Sequence, residues 1–160
     1  MKEHRSKAKR TLGSLAYLVK HFDPDGIELY FTKTSQTRRH KDRHELLTLF
    51  DSVEFEGHGG METTLGEILE KCSGSGLRSM LKAKLKWSRR GVNIYVLTDG
   101  VWGCEDDSLC GIPELVKTTV AKMNNRVKLG IQFIQFGHHP VGTWRLQQLD
   151  DEWRKHGIDK

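Results

Sequence analysis

Three sets of side chains in this 160-residue sequence carry atoms suited to binding or transforming a ligand. The first pairs Asp99, at the tip of Val96-Leu-Thr-Asp99-Gly100, with Thr63 in Gly59-Gly60-Met-Glu-Thr63-Thr64-Leu65-Gly66. A carboxylate and a short hydroxyl are hard oxygen donors that suit Mg²⁺ or Mn²⁺. The second set is the acidic run Glu105, Asp106 and Asp107. These carboxylates could add oxygens for such an ion, although a run of like charges is more simply a solvated loop. The third is Cys104, Cys110, His138 and His139. Two thiols and two imidazoles could form a tetrahedral zinc site. The Cys-x5-Cys spacing is too loose for a zinc signature, and adjacent histidines seldom ligate one ion, so zinc chemistry is the lesser alternative.

Nucleophilic catalysis has little support. Cys104 and His138 could be drawn as a nucleophile and base, yet nothing nearby marks a lowered thiol pKa. Ser73-Gly-Ser-Gly76 lacks the glycine count and the strand-to-helix setting of a phosphate loop. The chain therefore reads as a binding module and not as an enzyme.

The elements that must position these groups alternate in type. Gly26–Thr32, Val92–Thr98 and Lys128–Phe136 are apolar and rich in β-branched or aromatic residues, as strands are, and the second is expected to be buried on both faces. The turn Asp23-Pro-Asp-Gly26 launches the first and should face away from the site. Helical patterns cover Glu3–Phe22, Arg43–Phe50, Thr64–Cys72, Gly76–Arg89, a run from Pro113 to Asn124, and Trp144–Lys155. In the first of these, Leu12, Leu15, Ala16, Val19 and Phe22 share one stripe. Strands separated by helices imply parallel pairing, with function gathered at the strands' carboxyl ends. That rule selects the loops Lys33–Asp42, Asp99–Ile112 and Gly137–Thr143. Trp102 and Trp144 fall on them and could anchor a partner, because Trp is enriched in binding hot spots. Trp87 and Trp153 read as helix packing.

Bulk properties narrow the class. Hydrophobic residues at 36% and charged residues at 29% describe one ordinary globular domain spanning 1–160. No apolar stretch approaches the roughly 20 residues that span a bilayer. Lys2–Arg10 followed by Leu12–Val19 mimics a secretory signal, but no small-residue cleavage site follows. The net charge of +5 collects at Lys2–Arg10, at Arg38, Arg39, Lys41 and Arg43, and at Lys82, Lys84, Lys86, Arg89 and Arg90. No aromatics interleave with these runs as stacking platforms, so they read as solvated faces, with a basic nucleic-acid-binding domain as the alternative. Three cysteines without a paired framework point to reduced thiols in an intracellular, cytoplasmic setting.

Taken together, the strand ending in Thr98-Asp99-Gly100, the Gly-Gly-x-x-Thr63 turn and the strand Gly130–Gly137 resemble the von Willebrand factor type A domain, in particular an intracellular fungal branch. The resemblance covers essentially the whole chain. It implies a Rossmann-like three-layer α/β/α sandwich with a mainly parallel sheet. It also implies a metal-ion-dependent adhesion site, in which Mg²⁺ or Mn²⁺ at the top of the sheet leaves one position open to a partner's carboxylate. The family supplies oxygens from an Asp-x-Ser-x-Ser loop, a threonine and an aspartate. Thr63 and Asp99 match the last two, whereas the Asp-x-Ser-x-Ser loop has no counterpart here. By this likeness the domain is truncated at both ends: Met1 corresponds to an internal methionine after the last motif serine, so the central first strand is missing, as is the final edge strand. The implied function is protein–protein interaction through a degenerate site, with Trp102, Glu105, Asp106, Asp107 and His138 as partner-binding residues.

Overall fold

A computed structural model describes residues 1–20, 22, 26–54, 60–73, 91–103, 108–123 and 129–155. The turn at Asp23 and Asp25, Gly59, the helical pattern at 76–89 with Trp87, Cys104, and Glu105, Asp106 and Asp107 lie outside the described residues. The fold is mixed α/β. The chain divides into two compact units, residues 1–59 and 60–160.

The first unit opens with a short 3₁₀ turn, Lys2–His4, and helix α1, Arg5–Val19. Ala8, Leu12 and Ala16 recur every fourth residue, which puts them on one face, and all three are buried. The small side chains of Ala8 and Ala16 let α2, Arg43–Ser52, approach closely with Leu46 and Phe50 on its own inner face. A Cβ on Gly13 would stand 3.0 Å from Arg43 Nη2, so the guanidinium lies directly against the α1 backbone. The expected stripe is only partly correct, because Phe22 is 87% exposed. Asp42 caps α2: its Oδ1 accepts from the backbone N–H of His44 at 2.7 Å and of Glu45 at 3.3 Å.

Between these helices, β1, Ile27–Phe31, pairs antiparallel with β2, Thr34–His40. This corrects the expectation that 33–42 is a functional loop. The stretch Thr34–His40 has no apolar residue and hence no hydrophobic alternation to betray a strand. Its order comes from the ladder with β1, entered through a two-residue turn between Phe31 and Thr34. Leu29 is buried, and Phe31 lies 6.5 Å from the Phe50 ring.

The second unit contains α3 (Met61–Ser73), β3 (Val92–Thr98), α4 (Ile112–Lys122), β4 (Leu129–Gln135) and α5 (Pro140–Lys155). β3 and β4 pair in parallel, from Val92↔Leu129 to Thr98↔Gln135, as their β-branched composition and intervening helix predict. Ile94, Val96, Leu129, Ile131 and Phe133 pack against a core of Met61, Leu65 and Leu69 from α3, Ile112 and Val116 from α4, and Leu149 from α5. The other face does not match the reading of β3 as buried on both sides: Asn93 and Gln132 are exposed, and Tyr95 is 38% exposed. Among the described residues the ladders are the two-stranded β1–β2 and β3–β4. No described helix is long and apolar enough to cross a membrane.

Candidate functional site

The second unit brings several chain segments together at one end. Parallel pairing puts the carboxyl ends of β3 and β4 side by side, where Phe136 N–H donates to Thr98 O at 2.8 Å. The chain leaves β4 through Gly137, His138 and His139 and enters α5 at Pro140. The helix therefore starts inside the expected loop Gly137–Thr143, capped by Thr143 N–H donating to His139 O at 2.8 Å. Chain 108–111 leads to α4, whose N-cap is Gly111 in the left-handed region. A Cβ on Gly111 would stand 2.7 Å from Glu62 Oε1, so the start of α3 lies beside the start of α4. The Glu62 carboxylate thus lies beside a helix N-terminus, where the backbone dipole favours negative charge.

Asp99 follows the last residue of β3 and is half-buried. Its Oδ1 accepts from Val101 N–H at 3.1 Å, which turns the chain away from the strand direction. Gly100 has φ +77, and a Cβ there would strike the backbone of Gly142. A Cβ on Gly142 would in turn strike Asp99 O. Two glycines therefore permit the first turn of α5 to press against the chain that bears the carboxylate.

A set of buried polar contacts holds this chain in place. Thr98 Oγ1 accepts from Gly100 N–H at 2.9 Å and from Trp102 Nε1 at 3.0 Å. Arg145, in α5 and 2% exposed, donates from Nη1 to Gly100 O and Trp102 O at 3.3 Å each. Its guanidinium also lies 5.6 Å from the Trp102 ring centroid, within cation–π range. The indole packs at 6.1 Å from Phe133, whose ring in turn lies 5.7 Å from that of Trp153, tilted against it.

This arrangement revises several sequence expectations. Trp102 is 5% exposed and belongs to the core, so it is no partner anchor; its indole N–H is used by Thr98. Trp144, by contrast, is 43% exposed. Trp153 packs on the core as expected. His138 and Thr63 are exposed, the latter in the first turn of α3. The three cysteines are not all reduced. Cys72 is in no disulfide, but Cys110 is disulfide-bonded, with its partner outside the described residues. A sulfur in a disulfide offers no thiolate, so the zinc reading loses Cys110 as a ligand.

Mg²⁺ demands near-octahedral oxygen coordination. Thr63 and Asp99 do not make that set between them, and one Asp99 oxygen already accepts a backbone N–H. Among the described residues no group of three or more His, Cys, Asp or Glu side chains could hold a metal ion. The described residues therefore do not fit a complete Mg²⁺ site.

Arg145 was not legible as part of this region, and Thr98, Gly142 and Glu62, although inside the selected motifs and loop, carried no signal of their roles. Arg145 looks like any solvated helix cation, and only the positions of Leu146, Leu149 and Trp153 around it hint that its side faces inward. Comparison with protein-family models, with curated proteins and with solved structures returned no match.

Proposed function

We propose that the chain is a protein–protein interaction module of the von Willebrand factor type A kind, built on a three-layer α/β/α sandwich and carrying an incomplete metal-ion-dependent adhesion site. What supports the reading is that Asp99 and His138 follow the carboxyl ends of the paired strands β3 and β4, while Glu62, next to Thr63 at the start of α3, lies beside the N-cap of α4. In an open parallel α/β sheet that end is where ligands dock. Arg145, Trp102 and Thr98 brace the Asp99 chain from beneath, which favours a rigid recognition surface. A rigid surface loses little conformational entropy when a partner binds. By the sequence resemblance, Thr63 and Asp99 correspond to residues that the family uses for its ion, without the serine loop that completes the shell. Recognition would then rest on the loops' own side chains, including the acidic run at 105–107.

Affinity capture with the 160-residue chain tests this reading against Asp99→Ala/His138→Ala and against Lys122→Ala, a change at the C-terminal end of α4. A protein partner retained by Lys122→Ala and lost with the double variant is expected. Retention by all three, or recovery of nucleic acid that nuclease removes, would reject the assignment. Thermal melts with millimolar Mn²⁺ address the ion separately, because any ligand of the folded state raises its melting temperature. The incomplete site predicts no response. A rise that disappears in Asp99→Ala would show a working metal site instead.

A further inference from the structure

The first unit contains a feature unrelated to the carboxyl end of β3. A cavity of about 180 Å³ lies between α1, the β1–β2 hairpin and α2. Ala16, Ile27 and Leu46 give it apolar walls, and Lys20, Gly26, His40 and Lys41 complete the lining. Lys20 and Lys41 are exposed, and neither has an ion-pair partner among the described residues. Lys20 acts on Asp42 only through space, since that carboxylate is engaged by the N–H groups of His44 and Glu45. His40 Nδ1 lies 2.9 Å from Glu45 Oε2. An ionised carboxylate can only accept, so that contact puts the proton on Nδ1. His40 Nε2 is buried with no hydrogen-bond partner among the described residues.

Among the described residues, the two acids near the cavity, Asp42 and Glu45, are thus already occupied, whereas its two lysines have no ion-pair partner. An apolar pocket beside two exposed ammonium groups suits a ligand with an apolar body and one anionic end. An empty apolar space of roughly 150 Å³ accommodates a molecule the size of benzene, which sets the size class. We propose that this cavity binds a small branched or cyclic organic carboxylate. Its hydrocarbon sits on Ala16, Ile27 and Leu46, and its carboxylate is held by Lys20 and Lys41.

Amide chemical shifts of the full chain, titrated with 3-methylbutanoate, provide the test. Saturable shifts centred on Ile27, Lys41 and Leu46 are expected, with Kd about 1 mM, as befits a ligand of few atoms. The neutral alcohol 3-methylbutanol and inorganic phosphate serve as probes of the apolar and charged halves alone, and each should bind at least fivefold more weakly. Lys20→Met/Lys41→Met should weaken the carboxylate about tenfold, the sum expected for two exposed ion pairs. Equal binding of the alcohol would show a merely apolar cavity, and equal binding of phosphate a merely charged patch; either result overturns the proposal. So would unchanged affinity in the lysine variant, or no saturable shift up to about 50 mM. The comparison of carboxylate, alcohol and phosphate uses the unmodified chain, so it holds however the variant folds.

Discussion

Arg145 and Trp102 form a buried cation–aromatic pair, the guanidinium 5.6 Å from the ring centroid, joining helix α5 to the chain that follows β3. The same guanidinium donates to the carbonyls of Gly100 and Trp102, so one side chain both stacks on the loop and hydrogen-bonds its backbone. Burying a cation is costly, and its contacts first offset that desolvation. Replacing Arg145 by Met keeps most of the volume but strands two carbonyls. A net loss of about 2 kcal/mol is expected in urea unfolding followed by tryptophan fluorescence. An Arg145→Met protein as stable as its parent would mean that the pairing does no more than offset its own burial.

Thr98→Val is nearly isosteric, yet it should destabilise more than its shape suggests. Thr98 Oγ1 is the acceptor for both Gly100 N–H and Trp102 Nε1, in surroundings where Thr98 is 3% exposed. Two buried donors lose their partner, at about 1–3 kcal/mol each before relaxation. A stability loss of roughly 2–4 kcal/mol is expected, with a shifted tryptophan emission. Thr98→Ser, which keeps the oxygen, should recover most of the loss.

Gly142→Ala sets local propensity against tertiary contact. In a solvated helix the change stabilises by about 1 kcal/mol. Here the new methyl would collide with Asp99 O, a backbone atom that cannot swing away. The collision should win, with a net loss of roughly 2 kcal/mol or more. A higher melting temperature in Gly142→Ala would contradict the close approach of α5 to the Asp99 chain.

Asp42 titrates on the acid side of ordinary aspartate. The backbone N–H of His44, then that of Glu45, stabilises its ionised form and holds its pKa below the usual 3.8. A group depressed on folding contributes stability above its unfolded pKa and loses it as pH falls through the folded value. Asparagine is also a good N-cap but does not ionise there. Asp42→Asn should therefore lose less stability than the parent between about pH 5 and pH 2, measured by melts across that range. Parallel curves for the two proteins would remove Asp42 from the acid response.

The alternation of helices and strands was legible in the chain because it rests on local periodicity. Val92–Thr98 is β-branched or aromatic at every position but Asn93 and Leu97, and it is a strand end to end. Met61, Leu65 and Leu69 recur every fourth residue, and that spacing alone defines the buried face of α3. Asp99 at the tip of β3 followed from the rule that function sits at strand carboxyl ends. Thr34–His40 was illegible as a strand, because its order comes from main-chain bonds to β1 and not from side-chain pattern. Tertiary structure alone decided the fate of Trp102 and Arg145. A tryptophan in a loop and an arginine in a helix are equally suited to solvent or to a partner. They turn inward only because Gly100 and Gly142 let two backbones meet, leaving carbonyls and an indole N–H that must be satisfied away from water.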